Sequence, residues 1–155
     1  GYRNKEPIYF NKETPMKQWL LSAAATLVLS LSHSSSAFEV SGDSFLAEFD
    51  VTSVTSDKSG SVLTAEGDID GYGRVFLTYY FEGVHGLTDL GHFTGQIRSV
   101  TSEGVMYGTL NGVYRMKSGK MHIHTFDTHS NGDIVLAIGT IDLVAGKGSF
   151  TVYPE

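Results

Sequence analysis

The chain has 155 residues, 41% of them hydrophobic, 18% charged, and a formal net charge of −6. It contains no cysteine, which excludes disulfides, thiolate catalysis and cysteine-based zinc sites. Eighteen glycines, eight tyrosines, nine phenylalanines and only three prolines make up the composition of a sheet protein rather than a helix bundle or a disordered chain.

The N-terminal stretch separates from the rest by its pattern. Residues 1–15, GYRNKEPIYFNKETP, carry no methionine and no hydrophobic period; they are read as translated leader, with Met16 as the start. Lys12-Glu13 can be encoded by AAG-GAG, a bacterial ribosome-binding sequence, and the nucleotide sequence tests that reading. Met16-Lys17-Gln18 then leads into Trp19–Leu31, an apolar run of 13 residues, followed by the small residues Ser35 and Ala37. A basic start, a short apolar segment and a small-residue end are the layout of a secretory signal peptide, here residues 16–37. Thirteen residues are too few for a comfortable membrane span, so no stable membrane insertion is expected once the signal is cleaved. The expected product is secreted or periplasmic, in a bacterium, and begins at Phe38. N-terminal sequencing of the exported protein should find Phe38 or a residue within a few positions of it; an intact Trp19–Leu31 would mean an anchored protein.

From Phe38 to Glu155 there are seven basic and 15 acidic residues. An acidic surface with no basic cluster repels phosphate backbones, so nucleic acid is not an expected partner.

Short alternating runs separated by turn residues fill this region, the mark of an all-β barrel or sandwich. Phe45–Val51 places Phe45, Ala47, Phe49 and Val51 on one face. The turn 56–60 leads to a second strand, Ser61–Ile69, closed by Asp70-Gly71-Tyr72-Gly73. Arg74–Phe81 is apolar on both faces, so that Phe76 and Tyr80 stay exposed unless a second copy or a loop covers them. Glu82–Gly91 is the longest connection, placed to act as a lid or rim loop. His92–Val100 follows, then a hairpin of Val105–Met116 and Met121–Thr128 around Lys117-Ser118-Gly119-Lys120. After an Asn131-Gly132 turn come Ile134–Leu143 and Ser149–Tyr153. Eight consecutive strands with short turns predict an antiparallel, up-and-down barrel, the size that can hold one small ligand; a β-sandwich is the alternative. An outer-membrane barrel is a third reading, against which stand the charged residues mixed into most strands.

Two stretches carry a family resemblance. Gly71-Tyr72-Gly73-Arg74-Val75-Phe76-Leu77-Thr78-Tyr79 takes a glycine-rich turn into an aromatic strand, and Gly91-His92-Phe93-Thr94-Gly95-Gln96 follows as a G-x-F-x-G strand. With the strand order over Phe45–Tyr153, they resemble the lipocalin-like small barrels of the allene oxide cyclase and dirigent type. That resemblance implies a lumen that binds or cyclises a small apolar molecule without a cofactor. None of the family's catalytic residues matches a position here.

The chemical candidates come from polar residues set in apolar strands. His122 and His124 are two apart on one strand and so share a face. With Phe126 as the marker of the inner face, both are expected in the lumen, with Thr125 and Asp127 outside. An H-x-H strand can also give two ligands to a metal ion, with Asp127 or His129 as third; the bland alternative is hydrogen bonding to neighbours. Gln96 with Arg98, and Asn111 with Arg115, would supply donors to an oxygen-bearing ligand if they faced inward. Their apolar strand-mates Phe93, Ile97, Leu110 and Tyr114 compete for the interior, and that arrangement sends the polar four to water. Tyr79 and Tyr114 complete the set of ligand-contacting candidates. No G-x-S-x-G elbow, phosphate loop or dinucleotide fingerprint occurs. The functions consistent with these residues are binding of a small apolar ligand, a cofactor-independent cyclase or isomerase, and a structural or adhesive extracellular module.

Overall fold

A computed structural model describes residues 42–155. The leader and signal peptide read at 1–37 lie outside the described residues. The described chain forms eight strands: β1 Phe45–Ser56, β2 Ser61–Ile69, β3 Gly73–Gly83, β4 Leu90–Thr101, β5 Gly104–Lys117, β6 Lys120–His129, β7 Ile134–Asp142 and β8 Lys147–Pro154. Each pairs antiparallel with its neighbours in sequence, and β8 pairs with β1 to close the barrel. The up-and-down order expected from the turns is the one observed, and the sandwich alternative is not.

Alternation drives the closure. β4 buries Phe93, Ile97 and the small residues Gly95 and Ser99, while His92, Thr94, Gln96 and Arg98 point out. β6 does the same with Met121, Ile123, Thr125 and Asp127 inside. A closed ring of such strands pairs every edge and puts one face of every strand into a common core. β1 carries a bulge between Val51 and Ser53. Its displaced hydroxyls bond Thr64 from Thr52 and Ser53, at 2.7 and 2.6 Å, and such an extra residue bends the strand.

The connections sort into two ends. The β2–β3, β4–β5 and β6–β7 turns gather at one end with the start of β1 and the end of β8; the other four connections lie at the opposite end. The β5–β6 turn pairs Lys117 with Lys120 and leaves only Ser118 and Gly119 between the strands. Both have positive φ, 53° and 79°, the type I′ geometry whose twist matches a hairpin. The longest connection is shorter than expected: β3 runs to Gly83 and β4 begins at Leu90, leaving Val84–Asp89. The Met116 amide donates to the Asp89 carbonyl at 2.7 Å and pins this loop to β5.

The core is asymmetric along the barrel axis. Near the Val84–Asp89 end, Tyr79, Phe81, Phe93 and Tyr114 form a chain of ring contacts with centroids 5.2–5.5 Å apart. Glycines make room for them: a Cβ at Gly112 would stand 2.5 Å from Phe93 Cζ, and one at Gly91 2.5 Å from Tyr114 Cε1. The rings plug that end.

Candidate functional site

The other half of the lumen is not filled. A cavity of about 70 Å³ remains, walled by side chains from all eight strands and by Tyr72 of the β2–β3 turn. At roughly 10–15 Å³ for each water-sized group, it has room for about five such groups. Most of the wall is apolar, with Leu77, Leu110, Val135, Ala137 and Phe150 among its residues; Tyr79, Thr125, Asp127 and His129 supply its polar atoms with Tyr72.

Asp127 is the unusual member. It lies on β6 with 6% of its surface exposed, and burial pushes its carboxyl up to about 7 despite a hydrogen bond from Thr125. Thr125 Oγ1 lies 2.7 Å from Asp127 Oδ1 and 3.1 Å from the Asn111 carbonyl oxygen. A hydroxyl has one proton, so it cannot serve both acceptors fully. A protonated Asp127 resolves this: the acid donates to Thr125 and Thr125 donates to Asn111. Once ionised, the carboxylate competes for the threonine proton and has no cationic side chain in the cavity wall. Burial and the neighbouring Asp127 charge both raise the Tyr79 phenol far above its ordinary range, so it remains a neutral O–H.

The mouth is roofed by rings. Phe45 stacks on Tyr72 at 5.6 Å, and Tyr72 meets His129 at 5.9 Å. The Tyr72 carbonyl accepts from the buried Ser99 hydroxyl, and its amide donates to Ile69 at 2.9 Å, which fixes the turn beneath the ring. Burial lowers the His129 pKa against the pull of Asp133, keeping the imidazole neutral. Its Nδ1 is buried without a hydrogen-bond partner among the described residues.

Of the residues singled out from the sequence, Tyr79 lines this cavity. Tyr114 points inward, but belongs to the plug against Phe81. Gln96, Arg98, Asn111 and Arg115 point away from the lumen into solvent, the arrangement their apolar strand-mates favoured. Arg98 lies 5.7 Å from the Tyr107 ring centre on the outer wall. His122 and His124 also face outward, and this corrects the expectation for the hairpin. The inner face of β6 is Met121, Ile123, Thr125 and Asp127, and Phe126 is 48% exposed. Among the described residues, no three His, Asp or Glu side chains are placed to hold a metal ion, so Asp127 and His129 do not complete a site with the pair. Glu82–Gly91 lies at the plugged end and covers no part of the cavity mouth.

The signal that was passed over is the turn. A two-residue loop sets Tyr114 opposite Ile123 and Arg115 opposite His122, and cross-strand partners share a face. With Tyr114 inward, His122 had to be outward. Asp127, weighed from the sequence only as a third metal ligand and assigned outward, is a lumen residue; Thr-x-Asp in a strand has the pattern of a solvent face.

The chain finds no significant match among family models, curated proteins or solved structures. The chemistry of the cavity therefore carries the functional argument.

Proposed function

We propose that this barrel binds one small, mainly apolar molecule in the unfilled half of its lumen. The observation that carries the reading is the contrast between the two ends. One is packed solid by four aromatic rings, while the other keeps a cavity of about 70 Å³ containing a buried acid. Close packing is the default of a protein interior, and a mainly apolar void holding a buried acid behind a ring-covered mouth departs from it. The closed up-and-down barrel agrees with lipocalin-like architecture; kinship with the allene oxide cyclase and dirigent barrels is part of the proposal. So is export, which rests on the layout of Met16–Ala37.

Xenon is a suitable probe, because it enters apolar voids without needing a polar partner. Under xenon pressure, NMR signals of Leu77, Leu110, Val135 and Ala137 should shift, while those of Phe93 and Met121 in the filled half stay put. Ala137→Phe should abolish the shifts by occupying the void, at an overpacking cost of about 1–3 kcal/mol. Equal shifts along the whole barrel, or none, would remove the cavity as a binding site.

One observation favours a second reading, a cofactor-independent cyclase or isomerase. A carboxyl near 7 can both give and take a proton at neutral pH. Conversion of a host metabolite that Asp127→Asn stops would move the protein from binder to enzyme. The ring plug alone, with no occupant of the cavity, is what a structural module would need.

A further inference from the structure

Three features of the cavity end favour the same kind of occupant. The first is the set of polar atoms that face it. Ionised Asp127 offers acceptor oxygens, and no lysine or arginine lines the cavity to neutralise it. The ring of His129, neutral through burial, borders the cavity and brings no positive charge to its wall. The second is the wall. Tyr72, Tyr79, Phe45, Phe49 and Phe150 turn rings toward the space, and aromatic faces attract cations, most strongly where water is excluded.

The third is the rim. Asp43, Asp70, Glu103, Asp133 and Glu155 all sit on the turns and chain ends at the cavity end, and all are exposed. The arginines nearest this end are engaged elsewhere. Arg74 pairs with Glu66 at 2.8 Å and Asp68 at 2.9 Å, and Arg98 lies over Tyr107. A ring of one sign around a low-dielectric opening concentrates ligands of the other sign. An anion would meet repulsion at the rim and again at Asp127.

From these we infer that the ligand is a small organic cation, a primary amine with a short apolar tail, whose ammonium group sits against the Asp127 carboxylate. The inference rests on the reading of the lumen as a binding site and names the class of molecule it takes. An ammonium group has three donors and no acceptor, so it can give one to the Asp127 carboxylate and others to the hydroxyl oxygens of Tyr79 and Thr125, which line the same space. It also supplies the charge that a buried carboxylate lacks, and an unpaired buried charge is among the costliest groups in a protein. Around Asp127, the titratable groups are Tyr79 on β3, Tyr72 on the β2–β3 turn and His129 on its own strand. β1, β2, β4, β5, β7 and β8 present only uncharged, non-titrating side chains to the cavity. Ionisation of Asp127 is therefore what gates the amine.

Three molecules of one size separate the possibilities: n-butylamine, butan-1-ol and butyrate, each with a four-carbon skeleton and one polar end. Protein obtained by expressing the full chain is titrated with each at pH 8 and pH 6, and affinities are read from amide NMR shifts at Thr125, Asp127 and Ala137. At pH 8, butylammonium should bind at least about tenfold more tightly than butan-1-ol, with butyrate weakest. On moving to pH 6 that margin should shrink about tenfold, because a carboxyl titrating near 7 passes from nine-tenths ionised to one-tenth. Asp127→Asn should bind butylammonium no better than butan-1-ol. If that variant fails to fold, the pH series on the unaltered protein decides by itself. Equal or tighter binding of butan-1-ol would overturn the cation while leaving the lumen a binding site. A margin that survives Asp127→Asn would place the cation elsewhere and overturn it too. No shift at these residues with any of the three would remove both the cation and the binding reading.

Discussion

Above pH 7, replacing Asp127 by asparagine should make the barrel more stable by about 4 kcal/mol than it is with the acid. At pH 4 the same change should do little. The reasoning follows the proton. Asp127 titrates near 3.8 when unfolded and near 7 when folded. Between those values the folded state holds a proton that the unfolded state has released, so stability falls as pH rises through the window. The stabilisation is fully present below the unfolded value and is lost by the time pH passes 7. A difference of about three pKa units at 1.36 kcal/mol each sets the total at about 4 kcal/mol. Asparagine keeps the shape and carries no charge to bury. Asp57 and Asp142, whose pKa values are lowered by local hydrogen bonds, contribute the opposite slope, but they do so equally in both proteins and cancel in the comparison. Urea unfolding of both proteins at pH 4, 5.5, 7 and 8 reads the effect directly. A difference that stays flat across that range would mean that the carboxyl is solvated in the folded barrel.

Gly112→Ala should cost about 3 kcal/mol or more and lower the melting temperature by roughly 10 °C. Gly112 sits on β5 beneath Phe93, and an added methyl would stand 2.5 Å from Phe93 Cζ while also pressing on the His124 carbonyl oxygen. The first contact is with a ring wedged against Tyr79 and Phe81. The second is with a backbone atom of the barrel wall. Overpacked cores lose stability because neither neighbour has room to yield. Phe93→Leu in the same chain should recover part of the loss, and the carbonyl contact should keep it from recovering all. Thermal denaturation of the two single variants and the double variant measures that coupling. A near-neutral Gly112→Ala would show that the plug is loosely packed.

The architecture was largely legible in the sequence. Strict alternation in β4 and β6, turn residues such as Asn131-Gly132 and Ser118-Gly119, and the absence of a 3.6-residue stripe admitted few arrangements. Strand ends moved by a few residues, most at β1, whose polar half Thr52–Ser56 pairs with β2 beyond its bulge. The site was far less legible. Residues that stand out chemically, His122 and His124, occupy the outer wall because face is decided by cross-strand register, a relation between two strands that neither strand displays alone. Asp127 stood on the correct strand among the residues assigned outward. Its character comes from what surrounds it: rings from β1, β3 and β8, and a hydroxyl two residues away. Burial of a polar group contradicts the pattern from which strand faces are read, and a functional position is where such a contradiction is expected.

The seam between β1 and β8 sets the order in which this molecule becomes complete. Phe45 faces Val152 and Asp50 faces Lys147, with an ion pair between Lys147 and Asp50 and an edge contact between Phe49 and Phe150 at 6.2 Å. Every other pairing joins strands adjacent in the chain, so seven hairpins can form locally, whereas the seam requires a loop of about a hundred residues to close. On the ribosome, β8 is also the last of these eight strands to emerge. Until then β1 and β7 each present a row of unpaired amides and carbonyls, and the cavity lacks the wall that Phe150 and Val152 provide. The eighth strand thus ends the barrel's exposure to edge-to-edge aggregation and, in the same act, closes its cavity.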